Sequence, residues 1–380
     1  MLNATDPVER QRGADLLGKW SSDREWAVVS LRTLLADAQS RNDKPSMRKW
    51  AVALQANPGC TLADMPNCLL ALSQSDETRF AEVIATLEKN HAVTPEAAAQ
   101  LLGWLNQIGR SAEAVRWLKT LPPQGLQRPP VAVVGAEALR VVADWPALRE
   151  LTQNTSWGQD VEFLRWIYGL EAARALNDDA AAKELWQTLY SHAELNGVHA
   201  LFAGSTLFSW GHTENAVALW WRAAEQDGPN AAEALGTLAR YYQTRHEAEG
   251  QYRVFRRLHS LRPQDAAIAN NFAFFAALTH HEERLAEKLA RENLERAPQN
   301  QIYRGTLAFV LVAQNKADEA LTLLKPVKAE AEKSAALTFA YGLALAATGH
   351  KPEAKVLLAK LNFSELTTQA QELIKTALSD

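Results

Sequence analysis

Leu337-Thr338-Phe339-Ala340-Tyr341-Gly342-Leu343-Ala344-Leu345-Ala346-Ala347, then Thr348-Gly349-His350-Lys351-Pro352, then Glu353-Ala354-Lys355-Val356-Leu357-Leu358-Ala359-Lys360-Leu361: this stretch decides the fold. It reads as a helix, a tight turn and a second helix. Gly342 sits where two helices cross at short distance, which only a small side chain permits. Gly349 suits a helix end that turns back sharply, because glycine tolerates positive φ. Pro352 stands just inside the next helix, where its missing N–H costs nothing. Ala354 faces the crossing. The same alanine position returns at Ala320 and Ala286, each 34 residues earlier. An interval of that length marks stacked supersecondary units.

Further back, the position falls at Gln251, Ala216, Ala181, Leu148, Ala114, Ala81 and Met47, at intervals of 33 to 35 residues. Gly109 and Gly211 each precede their alanine by five residues, as Gly349 does, and Gly204 matches Gly342. Pro263 and Pro298 close second helices. Together these residues resemble the tetratricopeptide (TPR) repeat, over roughly residues 25–378, strongly after 160 and faintly before 95. The resemblance implies an all-α fold. It would be a right-handed superhelical α-solenoid of about nine to ten TPR-like helix-turn-helix repeats, the N-terminal ones degenerate.

The expected organisation is a lead or cap over 1–21, a degenerate TPR-like sub-array over 22–121 and a Pro-rich loop or hinge over 122–130. A TPR array over 131–363 and a C-terminal capping helix over 364–380 complete it. Four prolines between Pro122 and Pro130 cannot continue a helix. In the last segment Leu366, Ala370, Leu373, Ile374 and Leu378 form one stripe. In the N-terminal part the helix pairs are expected at 24–41 with 45–56, 62–73 with 77–90, and 95–107 with 111–120.

Composition narrows the function classes. The net charge is −4 and the pI about 6.2, a balance that argues against a general nucleic-acid binder. A local run, Arg240, Arg245, Arg253, Arg256, Arg257 and Arg262, is offset by Glu247 and Glu249 alone. It reads as a solvated helix face, with an acidic-peptide or anionic-ligand site as the alternative. Cys60 and Cys68 have no metal-site spacing and read as small apolar residues. The N-terminus shows neither the basic start nor the apolar core of a signal peptide, so a cytoplasmic location is expected. A soluble domain of a longer anchored protein is the alternative. Leu195–Thr213 carries no charge but is broken by Asn196, His199, Ser205 and His212, so no membrane span is expected.

Chemistry-bearing motifs are weak. Gly13-Ala14-Asp15-Leu16-Leu17-Gly18-Lys19 needs Ser or Thr next to hold magnesium, and Trp20 follows. Ser46-Met47-Arg48-Lys49 lacks the companion elements of penicillin-binding enzymes. His280 and His281 are adjacent, so on a helix they point about 100° apart and do not converge on a metal. No catalytic residue, metal or cofactor is expected, and the chain reads as a non-enzyme.

In TPR arrays the first helix of each pair lines a concave groove that takes a partner segment. That is what the resemblance implies here, for Phe163, Trp166, Arg174, Phe208, Arg240, Phe275, Phe309 and Phe339. Aromatics and arginine dominate binding energy at interfaces. The lysine and asparagine pairs that clamp a peptide carboxylate in one TPR subgroup are missing, which disfavours a chaperone-tail receptor. The expected function is a protein–protein interaction scaffold or adaptor with a protein or peptide partner. The alternatives are a regulatory peptide or ligand sensor, or an accessory region of a membrane or envelope complex.

Overall fold

The computed structural model describes residues 7–91, 94–122, 128–153, 156–192 and 196–379. Twenty-two α-helices occupy these residues, with short 3₁₀ segments between some of them. They group into two compact units, residues 1–194 and 195–380. Most of the Pro-rich loop, 123–127, lies outside the described residues.

In the first unit the opening helix, Pro7–Trp20, packs on Ala27–Ser40, which pairs with Lys44–Ala56 and through it with Met65–Ser75. Glu77–His91 leads to Pro95–Gln107, which packs against Ser111–Leu118 and Val131–Val141. Trp145–Gln153 packs on Glu162–Ala175, and that helix on Asp179–Ser191. These bounds fall within a few residues of the expected ones.

The second unit is more regular. Gly197–Ser209 pairs with Thr213–Glu225, Pro229–Thr244 with Ala248–Leu261, and Ala266–Leu278 with Glu283–Arg296. Gln301–Ala313 pairs with Ala317–Leu324, Ala335–Ala347 with Lys351–Leu358, and Thr368–Leu378 ends the chain. From Thr213–Glu225 onward each helix packs on the one before it. Starts are written in the sequence: the side chains of Asp43, Thr94, Asp178, Asn196, Asp265, Asn300 and Thr367 each accept from backbone N–H groups of the first helical turn.

The ends of the first helices carry the repeat most plainly. A residue with left-handed φ stands at Asn42, Gly109, Ala143, Asn177, Gly211, His246, His280, Asn315 and Gly349. From Gly109 onward the spacing is 34 or 35 residues throughout. Beside each, a backbone N–H reaches back across the helix end, as in His212 to Leu207 at 2.8 Å, Lys316 to Leu311 at 2.8 Å and His350 to Leu345 at 2.8 Å. This six-to-one bond satisfies a terminal carbonyl and reverses the chain. Three of the nine positions are glycine, and those three turns are legible in the sequence. The pair Met65–Ser75 and Glu77–His91 lacks the turn, and Asp76 there has φ −155° and ψ 85°.

Two register assignments shift by one residue. The buried position is Ala182, not Ala181, and its N–H bonds to Asp178. Ala180, Ala181 and Ala182 are identical side chains, so pattern alone cannot choose among them. In the second pair Phe80 is buried and Ala81 is exposed.

The close crossings are real. A Cβ on Gly204 would lie 2.7 Å from Trp220, and one on Gly342 would lie 2.4 Å from Leu358. Gly169, one position earlier relative to its turn residue, is looser, since a Cβ there would meet Leu185 at 3.4 Å. By contrast Gly236 has open space around it, its nearest neighbour being Arg240 at 3.8 Å. Gly204→Ala should therefore cost about 1–3 kcal/mol of stability. Gly236→Ala, in a helix interior with room, should gain up to about 1 kcal/mol. Thermal unfolding of the two variants checks both signs.

One ion pair anchors the N-terminal pairs. Arg32 Nε and Nη2 donate to Asp64 Oδ1 and Oδ2 at 2.6 and 2.8 Å, and Asp64 also accepts from the Thr61 N–H and hydroxyl. The Arg32 hydrogen bonds, more than the opposing burial, hold the Asp64 carboxyl down to about 2. A carboxyl whose folded value lies below its unfolded one stabilises the fold above the unfolded value, near 4, and loses that contribution as pH falls through the folded one. Arg32 is half exposed, so screening reduces the effect. Asp64→Asn is expected to cost about 1–2 kcal/mol near neutral pH. Its deficit relative to the parent chain should shrink toward zero as pH approaches 2, as read from acid-unfolding curves.

Candidate functional site

Of the eight residues projected toward a groove, the helices bury four. Phe163, Trp166, Phe309 and Phe339 are 8, 6, 1 and 4% exposed. They offer little surface, and their rings pack inside the units. Trp166 meets His192 edge-on at 4.6 Å. Phe309 and Phe339 lie 5.0 Å apart, and both pack on Phe274. Phe275 is half-buried and stacked on Phe255 at 5.6 Å. Arg174 is also half-buried. The physical reason is simple: a first helix sits between two neighbours, so the residues beside its innermost line are covered by adjacent helices. A one-residue rotation in projection exchanges surface for core.

Phe208 and Arg240 remain at the surface. Phe208 is 45% exposed and packs on Trp220 and Tyr241 at 5.2 and 6.2 Å. Arg240 is exposed and donates to the Thr237 hydroxyl at 3.2 Å. Arg245 lies over the Tyr241 ring at 5.5 Å. Val198 and Phe202 are exposed on the same helix as Phe208. Exposed aromatic, aliphatic and cationic side chains thus stand on Gly197–Ser209 and Pro229–Thr244, with Phe208, Tyr241 and Arg245 in one contact cluster.

The arginine run is largely committed within the fold. Arg245 pairs with Glu247, Arg256 with Glu282 and Arg257 with Asp227, and Arg257 also donates to the Ala224 carbonyl. Arg253 stacks over Trp221 at 4.3 Å. His280 and His281 diverge, toward Glu283 and Glu249. Among the described residues no group of three or more histidine, cysteine or acidic side chains is placed to hold a metal. No helix there is long and apolar enough to cross a membrane. Cys68 is buried, and burial pushes its thiol up to about 12.

The C-terminal helix is the feature that sequence inspection could not place. Its apolar stripe was legible, but its target was not. The Thr368 N–H donates to the His246 carbonyl at 2.9 Å, and the Ala248 N–H donates to Gln369 Oε1 at 3.2 Å. Ala370 and Ile374 are buried at 2 and 1%. A cavity of about 520 Å³ opens between the helix and the ends of three first helices, and Leu373, Ala377 and Leu378 also pack on the core. Leu278, Phe309 and Leu343 lie on one side of it and Leu373 and Ala377 on the other.

No family model matches the sequence, and no curated protein matches it either. A solved structure described as the crystal structure of the APC/C hetero-tetramer Cut9-Hcn1 is similar over 98% of this chain and 81% of that one. Its identity is 12% and its TM-score 0.30. The helix pairs, turns and crossings described above carry the architecture, and that likeness adds no argument to them.

The division between core and surface is measurable. Phe309→Ala should cost about 3–5 kcal/mol, whereas Phe208→Ala should cost under about 1 kcal/mol. Denaturant unfolding of both variants checks the contrast. The chain is an all-helical repeat protein, built of consecutive helix pairs with TPR-like turns and crossings.

Proposed function

We propose that the chain is a protein–protein interaction scaffold that holds a partner segment against the outer surface of its first helices. The observation that carries this reading is the surface cluster of Phe208, half-buried Tyr241 and Arg245, with exposed Arg240 next to Tyr241 in the chain. Large aromatics cost free energy when left in water, and exposed ones that share a surface with a cation make strong interface anchors. Stacked helix pairs also supply a long surface without a closed pocket. Phe275, half-buried in the same unit, would serve as a secondary contact.

The test compares partner capture by the parent chain and by the double variant Phe208→Ala, Arg240→Glu, using quantitative mass spectrometry of proteins bound to each. Loss of one aromatic anchor and reversal of one charge should reduce capture by roughly tenfold or more. Neither residue is in the core, so the melting temperature should be retained. Unchanged capture at unchanged stability would contradict the reading.

A further inference from the structure

The second helices of two successive pairs, Thr213–Glu225 and Ala248–Leu261, leave a cavity of about 430 Å³ between them. Three arginines line it, Arg253, Arg256 and Arg257, against one carboxylate, Glu225. With Ser260 they occupy positions i, i+3, i+4 and i+7 of Ala248–Leu261, which is one face of a helix. Trp221 and Tyr252 supply aromatic walls. The chain as a whole carries −4, so the arginines form a local basic site on an acidic protein.

The three arginines are not equally engaged. Arg257 is a fixed part of the fold. Its Nε and Nη2 donate to the carbonyls of Ala224 and Glu225 at 3.0 and 3.1 Å, which caps the end of Thr213–Glu225. Its carboxylate partner, Asp227, is 94% exposed, and a pair of that kind contributes little. Arg256 is 64% exposed and pairs with Glu282 at 2.7 Å. The Tyr252 hydroxyl also donates to Glu282, at 2.8 Å, so Glu282 keeps a donor when Arg256 turns to another acid. Arg253 is exposed and centred over the Trp221 ring at 4.3 Å, and among the described residues no carboxylate meets it. A guanidinium held on an aromatic ring keeps its in-plane N–H donors for the fork that fits a carboxylate.

We propose that this cavity binds an acidic segment of a partner protein, with Arg253 and Arg256 forking onto its aspartate or glutamate carboxylates. Charge complementarity selects that occupant. Glu225, Asp227 and Glu282 stand around the arginines and oppose a dense polyanion such as a nucleic-acid strand. A few spaced carboxylates meet Arg253 and Arg256 without that repulsion, and the Trp221 ring takes the aliphatic stems beside them. The inference goes beyond the scaffold reading: it adds a contact on second helices, whereas the Phe208 cluster belongs to first helices.

The experiment uses the full-length chain and a fluorescein-labelled peptide of alternating glutamate and glycine, followed by anisotropy at low ionic strength. The parent chain should bind it. Arg253→Glu with Arg256→Glu should weaken binding at least about tenfold. Arg253→Gln with Arg256→Gln, which introduces no like charge, should weaken it at least about threefold at the parent's helical content. If the charge-reversed variant loses helical content, the glutamine variant decides. The Phe208→Ala, Arg240→Glu variant should keep the parent's affinity for the peptide. No binding by the parent chain, or equal binding by the folded glutamine variant, would overturn the proposal. Tighter binding of a single-stranded oligothymidylate, lost on the same substitutions, would assign the site to nucleic acid and overturn it too. If the Phe208 and Arg240 variant loses partners while the glutamine variant holds the peptide as the parent does, this proposal fails and the scaffold reading stands.

Discussion

The structure depends on one small device, the left-handed residue that ends the first helix of a pair. Continuing the helix there would carry the chain away from the layer it has just built. Instead, a single residue with φ near +60 to +90° and a six-to-one hydrogen bond send the chain back along its own flank. The second helix then starts within reach of the first, and the crossing glycines set how closely they lie. Gly204 against Trp220 and Gly342 against Leu358 show the same geometry with different partners. Spacing of the turn fixes spacing of the layers, and the layers fix which side chains remain outside.

That device explains how much of the fold could be read from residues. Where glycine fills the left-handed position, at Gly109, Gly211 and Gly349, the turn was visible. Ala143 and His246 adopt the same conformation at a steric cost that the rest of the pair absorbs, so nothing in the residue type announces them. Helix boundaries were legible because Asp, Asn and Thr caps and N-terminal prolines are local signals. The register at Ala181 was not, because three alanines in a row carry no phase.

The candidate site was legible to a lesser degree. Choosing aromatic residues on first helices found Phe208 and Arg240 on the outside. The same rule selected Phe309 and Phe339, which form a ring cluster with Phe274 in the core of the second unit. Aromatic type does not distinguish an interface anchor from a spacer between layers, and a difference of one position in a 3.6-residue period decides between them. The return of the C-terminal helix to His246 depends on the geometry of three intervening pairs, and no local pattern encodes it.

If each pair leans chiefly on its neighbours, stability is distributed along the chain in steps and not held by one central core. Native-state hydrogen exchange across increasing denaturant measures this directly. The account predicts that protection is lost in successive blocks that match helix pairs or small groups of them. Loss of all protection in a single global step, with no intermediate block, would contradict it.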